Sequence, residues 1–203
     1  MALKTIVKVG EVNNLSDARY CAGMGVEMIG FNLDDEGGID ANTFKGITGW
    51  IEGPKYIGEF TNDTPESIKQ KVKEFDLPFI QVRDEQLLPA LADISADIIF
   101  AVNPSSLQEL ENKLLNLKDQ VSYILIESTQ ETLLNQAEIA QLQHLSEQYP
   151  LLLGYGFNDE TVLTILDQIH PSGIALKGGD EVRPGYRNFD EMADILEALE
   201  VDD

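Results

Sequence analysis

The chain has one cysteine, Cys21, and two histidines, His144 and His170, which lie in unrelated segments. A single thiol excludes an intramolecular disulfide, and so few soft ligands leave no Cys/His cluster with zinc spacing. No metal and no other cofactor is expected. Cys21 falls on the apolar face of "ARYCAGMGVEMI", which predicts helix packing for it. No apolar run approaches the ~18 residues that span a bilayer. The opening Met-Ala-Leu-Lys leads directly into a strand pattern instead of a signal-peptide core, so a cytoplasmic location is expected. Basic residues are also scarce: 14 Lys and Arg face 36 Asp and Glu, for a net charge of −22. Such a surface repels phosphate backbones and anionic lipid heads, which argues against nucleic acid and membrane partners. The closing "EALEVDD" reads as a solvated acidic end.

What is present is regular. With 203 residues and 43% hydrophobic content, the chain can bury one sizeable core, and residues 1–203 are expected to form one domain. Apolar, β-rich runs alternate with helical patterns throughout. They are "TIVKV" at 5–9, "EMIGF" at 27–31, "KYIGEF" at 55–60 and "PFIQV" at 78–82, then "DIIFAV" at 97–102, "SYILIE" at 122–127, "PLLLGY" at 150–155 and "SGIALK" at 172–177. Helix starts are signalled by Ser16-Asp17, Thr64-Pro65-Glu66, Asn103-Pro104 and Asn158-Asp159-Glu160. Eight strand-helix units of about 25 residues predict an α/β fold, a compact (β/α)8 TIM barrel with short loops. A doubly wound open sheet would use fewer strands and a Gly-rich first turn, and "VGEVNN" contains no G-x-G-x-x-G.

Barrel chemistry sits where strands end and the following loops begin. Around that rim the sequence places Gly10 and Glu11, Asn32 and Asp34, Asn62, Gln81 and Arg83, Asn103, Glu127, then Gly154, Tyr155 and Gly156, and finally Lys177, Gly178 and Gly179. Alternation puts Gln81 and Arg83 on one face, and Glu127 on the face of Leu125 and Tyr123. The glycines of "GYGFND" and "LKGGDEVRPG" let backbone N–H groups approach an oxyanion, with Lys177 as a point charge; they are equally the tight turns a compact barrel needs. "DEVRPG" reads as the start of a short helix. Lys8, two residues before Gly10, should face the lumen and pair there with a carboxylate.

In order and spacing, these segments resemble the phosphoribosylanthranilate isomerase family over nearly the full chain. "VKVGEV" is similar to that family's V-K-I-C-G-I, and "SDARYCAGMGVEMIGF" to its E-D-A-…-A-G-A-D-A-I-G-F. "YIGEFTNDTPESI" resembles G-V-F-V-N-x-S-P-E-E-I, and "FIQVRDEQ" resembles V-Q-L-H-G-D-E. "LLLGYGFNDETV" resembles L-A-G-G-L-T-P-E-N-V, and "PSGIALKGGDEVRPGYRN" resembles P-x-G-V-D-V-S-S-G-V-E-x-S-P-G-x-K-D. The resemblance implies an Amadori rearrangement of an aminoaldose phosphate, with a small phosphorylated metabolite as partner and a monomer or homodimer as the working form. It also implies a cysteine base and an aspartate acid, which fall on Gly10 and Glu127.

Several departures accompany it. Gly10 has no side chain to remove a proton. The family's carboxylate-binding arginine after strand two has no counterpart in "NLDDEGGIDANTF", where Asp34, Asp35 and Glu36 would repel a substrate carboxylate by about 1 kcal/mol per close pair. The histidine after strand four falls on Arg83, the small residue of the first phosphate loop on Tyr155, and the strand-eight aspartate on Ala175. The G-G-T-G segment after strand six is replaced by "STQETLLNQAEIAQL", which reads as running straight into a helix. Glu127, ending an apolar strand, is expected to have a raised pKa suited to proton transfer, or else to pair with Arg83 or Lys177. Glu11 is the ionisable neighbour of the vacated base position, although alternation turns it from the lumen. Gln81, Arg83, Gly154, Tyr155, Gly156, Lys177, Gly178 and Gly179 are the candidate substrate and phosphate contacts. Two readings stand: a sugar-phosphate isomerase with Glu127 as principal proton-transfer residue, or a catalytically silent paralogue that keeps an anion site. A plain scaffold is a third.

Overall fold

The eight β-rich runs form eight parallel strands: β1 (Ile6–Gly10), β2 (Met28–Asn32), β3 (Lys55–Glu59), β4 (Phe79–Val82), β5 (Asp97–Val102), β6 (Tyr123–Ile126), β7 (Leu151–Leu153) and β8 (Gly173–Lys177). In this computed structural model, which describes residues 2–104, 107–115, 117, 120–128, 133–177, 181–183, 186–187 and 190–201, they close in sequence order into a barrel. Closure is made by β8 against β1, in register from Ile6↔Gly173 to Gly10↔Lys177. The expected (β/α)8 architecture is the one observed.

Strand alternation divides the core in two. Val7, Val9, Ile29, Phe31, Ile80 and Phe100 point outward into the shell beneath the helices. Met28, Ile57, Phe79, Ile99, Leu125 and Leu152 fill the lumen. The same alternation sends Lys8 inward, where it is only 2% exposed.

Helices α1 (Leu15–Gly23), α2 (Ala41–Thr48), α3 (Pro65–Phe75), α4 (Leu88–Leu91), α5 (Leu107–Leu114), α6 (Gln136–Ser146), α7 (Val162–Ile169) and α8 (Asp190–Ala198) cover the barrel. Thr64 caps α3 with Pro65 in the first turn, as its sequence signal predicts. Elsewhere the local readings need correction. Asn14, not Ser16-Asp17, caps α1, its side chain accepting from the Asp17 amide. Within "STQETLLNQAEIAQL", α6 starts at Gln136 behind an Asn135–Glu138 capping box, and residues 129–132 lie outside the described residues. The predicted helix in "DEVRPG" is instead strand β9 (Glu181–Arg183), paired antiparallel with β10 (Tyr186–Arg187). The acidic end is pinned as far as Val201, because Lys4 and Val201 amides bond Leu199 and Ala2 carbonyls and Leu199 is fully buried. Backbone pairing there outweighs the repulsion of a few solvated carboxylates.

Cys21 is fully buried in the shell beneath α1, and burial, with the Asp17 charge, pushes its thiol up to about 12. It is inert packing, as expected. Truncating the lumen should be felt most: Leu152→Ala should cost about 2–5 kcal/mol in urea unfolding, and Leu163→Ala on the exposed side of α7 only a fraction of that.

Candidate functional site

All eight strands deliver their last residues to one end, where a cavity of about 290 Å³ opens. Seven of the sequence-predicted residues line it together: Glu11, Asn32, Gln81, Arg83, Glu127, Gly154 and Lys177, beside Gly10. The others are placed differently. Tyr155 packs against the outer shell, and burial raises its phenol pKa. Gly156 has φ +86°, and a Cβ there would meet the Leu134 side chain, so this glycine serves a turn that lies off the cavity wall. Gly178 and Gly179 lie outside the described residues.

Charge matching dominates the geometry. Arg83 Nη1 stands 2.5 Å from Glu127 Oε2, and Lys177 Nζ lies 3.6 Å from Glu127 Oε1 and 3.3 Å from Glu11 Oε1. Burial pushes the Glu127 pKa up, but the Arg83 hydrogen bond and the charges of Arg83, Lys177 and Lys8 together outweigh it. The carboxyl therefore sits below the usual glutamate range. The expected upward shift is thus reversed, and the pairing alternative is the one realised. Lys177 is desolvated too, yet its glutamate neighbours hold it above the usual lysine value. Glu11 sits at φ +59° on the rim, its side chain about half exposed and facing Lys177.

The lumen lysine has its carboxylate: Lys8 Nζ contacts Glu59 Oε1 at 2.5 Å, and Glu59 Oε2 accepts from the Glu11 amide at 2.9 Å. Glu59 was not among the candidates from sequence, which took Asn62 as the residue of strand three facing the mouth. The available signal was a charged residue inside "KYIGEF", two positions beyond Ile57 and hence on the lumen face. Asn62 instead lies past the strand end, its amide donating to Asp34. Glu59 occupies the volume above two glycines. A Cβ on Gly10 would fall 2.7 Å from Glu59 Oε1 and 3.0 Å from Lys8 Nζ, and one on Gly30 would also collide with the Glu59 carboxylate. The position vacated on β1 is therefore filled by a side chain from β3.

The acidic loop after β2 does not act as its composition suggests. Asp34 is 6% exposed, and its carboxylate accepts from the Thr61 and Asn62 amides. Asp35 pairs with Lys71 at 2.7 Å, and Lys71 also holds Asp63 at 2.6 Å. These groups fasten the loop after β2 to the loop after β3. Gly37 and Ile39, not Asp34, Asp35 or Glu36, reach the cavity wall, which corrects the expected repulsion there. Asn103 borders a separate depression with Pro104 and Lys113. Among the described residues no group of three His, Cys, Asp or Glu side chains is placed to hold a metal ion.

Fold and site together define a (β/α)8 barrel with a charged, enclosed mouth at the C-terminal ends of its strands. No family model matches the chain. The phosphoribosylanthranilate isomerase of Synechococcus sp. (strain JA-2-3B'a(2-13)) is 26% identical over 219 aligned residues, covering 97% of this chain and 91% of that protein. The phosphoribosylanthranilate isomerase structure from Thermotoga maritima superposes with a TM-score of 0.79 at 21% identity, covering 96% of this chain and 98% of that one. A second, bound to reduced 1-(o-carboxyphenylamino)-1-deoxyribulose 5-phosphate, gives 0.78 at 22% identity, with the same coverage. Similarity to these isomerases thus runs over nearly the full length of the chain, and the barrel is the fold they share.

Two outcomes test this geometry. Gly10→Cys alone should destabilise the protein by about 1–3 kcal/mol, because the new side chain and Glu59 compete for one volume, whereas Gly10→Cys/Lys8→Met/Glu59→Val, which removes the competing carboxylate together with the lysine it neutralises, should recover part of that in urea titrations. For Glu127, the folded pKa is depressed. The stability it contributes is fully present above the usual glutamate value of about 4.3 and is lost as pH falls through the lower folded value. Glu127→Gln should therefore flatten the acid limb of a stability-against-pH curve.

Proposed function

We propose that the chain is a sugar-phosphate isomerase of the aldose–ketose type, working in the barrel mouth, with little or no activity on phosphoribosylanthranilate itself. One observation carries the reading: the cavity is lined by three cations, Lys8, Arg83 and Lys177, in a protein of net charge −22. It is thus the place where an anionic metabolite meets least repulsion. Lys177 supports a phosphate contact best. Both it and its Glu11 partner are more than half exposed, so water-screened opening of that pair makes room for a phosphate beside Gly154. The Arg83–Glu127 and Lys8–Glu59 pairs are more enclosed and less able to exchange partners.

Activity on the family's substrate is the weaker expectation because Gly10 bears no base. In addition, each cation that lines the cavity among the described residues already faces a glutamate, which leaves none to take an anthranilate carboxylate. The silent-paralogue reading is favoured by one further observation, the clamped and ionised state of Glu127, which is poorly suited to donate a proton. A cytoplasmic setting accompanies either reading. Among the described residues no helix is long and apolar enough to cross a membrane.

Turnover of phosphoribosylanthranilate should be at least about a thousandfold below that of an ordinary enzyme, since loss of one general base removes about 10²- to 10⁴-fold. Complementation of a bacterial tryptophan auxotroph would contradict this. Inorganic phosphate should bind with a dissociation constant on the order of millimolar, and Lys177→Ala should abolish the saturable shift of the Gly154 amide. A flat titration for both proteins would close the anion site.

A further inference from the structure

The floor of the cavity holds two acceptors, Glu59 and Gln81, to which no step of the reaction has yet been assigned. Glu59 is 9% exposed, and its two oxygens are held by different donors, Lys8 Nζ and the Glu11 amide, so each retains a lone-pair direction. In strand register beside it stands Gln81, 5% exposed, whose Oε1 is buried and meets no donor among the described residues. A buried amide oxygen without a donor is unfavourable in the empty protein and becomes favourable when a ligand brings an O–H to it. Glu59 also reaches this place only because Gly10 and Gly30 lack side chains. The fold therefore sets a fixed carboxylate and a waiting acceptor side by side at the bottom of an open cavity.

We propose that Glu59 is the proton-abstracting base of this site, and that the substrate end reaching it is an uncharged, hydroxyl-bearing aldose carbonyl of a phosphorylated sugar. The inference rests on the sugar-phosphate reading above. In the step, the Glu59 carboxylate takes the C2 proton of the open-chain aldose. The C–H electron pair becomes the C1=C2 bond of an enediol while the C1 carbonyl pair moves onto O1, which accepts a proton from water. Return of the proton from Glu59 to C1, with loss of the O2 proton to the hydroxide which that water leaves and formation of the C2 carbonyl, yields the ketose. C1 is reduced as C2 is oxidised, so no outside electron donor or acceptor enters. The Lys8 ammonium, beside the carboxylate, opposes the charge that develops on the enediol oxygens. Gln81 Oε1 accepts from a substrate hydroxyl and fixes its orientation, a positioning role. A carboxylate at this end would bring a third anion beside Glu59 and Glu127 with no unmatched cation among the described residues to meet it, which is why an uncharged end is favoured.

The probe is D-ribose 5-phosphate in D2O, with proton NMR reading solvent exchange at C2 and thermal shift reading binding. Wild type should bind it and exchange the C2 proton. Glu59→Gln should bind within about threefold of wild type while exchange falls by about 10²- to 10⁴-fold. Because this variant leaves Lys8 without its counter-charge, Lys8→Met/Glu59→Gln serves as the fold control: circular dichroism should show it native-like, and it too should not exchange. Gln81→Leu should raise the dissociation constant about tenfold. Equal exchange in wild type and Glu59→Gln overturns the proposal, and so does binding by wild type without exchange, which would leave the sugar-phosphate reading as binding alone. Failure of wild type to bind at all removes the sugar-phosphate reading and this inference with it.

Discussion

The buried pair of Lys8 and Glu59 is the constraint around which the mouth is organised. An ammonium 2% exposed cannot stand in a barrel lumen without a counter-charge, since an unmatched ion at such depth costs several kcal/mol. The carboxylate that supplies it must cross from β3 toward β1. That crossing requires open space above both β1 and β2, and Gly10 and Gly30 provide it. The second oxygen then needs a donor, which is the Glu11 amide at a residue with φ +59°, a conformation carrying about 1 kcal/mol of strain for a side chain of this kind. One ion pair thereby accounts for two glycines and a strained rim residue.

The rim repeats the principle at lower depth. Arg83 and Lys177 converge on Glu127, and Lys177 also meets Glu11, so that three cations and three carboxylates balance within one cavity. In a chain of net charge −22 this local neutrality is itself an asymmetry, and it leaves the mouth less repulsive to anions than the surface around it. The pairs differ in how readily they exchange partners. The exposed Lys177–Glu11 contact is screened and labile; the enclosed Arg83–Glu127 contact holds its geometry. Exchangeable charge thus lies at the rim and fixed charge toward the floor, an order suited to a ligand anchored by phosphate with its uncharged end inward.

The barrel was legible in the sequence because its signal is repeated. Each of the eight β-rich runs forms a strand within a residue or two of its apolar limits, and alternation within them placed Gln81, Arg83, Glu127 and Lys8 on the lumen face. Less was legible where the deciding partner lies elsewhere in the chain. The Glu127 pKa could not be read from the apolar strand that precedes it, because Arg83 just past β4, Lys177 on β8 and Lys8 on β1 together reverse the effect of burial. The acidic loop after β2 read as a repulsive wall, whereas Lys71 on α3 and the amides after β3 draw Asp34 and Asp35 away from the cavity. Glu59 was missed because Asn62, which lies past the end of β3, was taken to mark the mouth, while the pleat had already turned an earlier carboxylate inward.

The glycine at position 10 and the glutamate at position 59 are two sides of one packing arrangement seen from two strands. The lysine of "VKVGEV" matches the family's V-K-I-C-G-I, so Lys8 is the shared element. What differs is the volume beside it. Where the family pattern has cysteine on strand one and valine in G-V-F-V-N on strand three, this chain has glycine and glutamate. A Cβ at position 10 would lie 2.7 Å from the Glu59 oxygen, so both side chains cannot occupy the site as it is built. Set against that pattern, a carboxylate in direct contact with the lysine stands in place of a thiol two residues beyond it. This keeps a proton acceptor next to the same ammonium, changes its element from sulfur to oxygen, and moves its point of attachment to the opposite side of the cavity floor. A substrate placed for attack from strand one would be presented to that acceptor at a different carbon or from a different face. With Glu59 as the proposed base, that geometry would separate the chemistry of this site from the rearrangement the family resemblance implies.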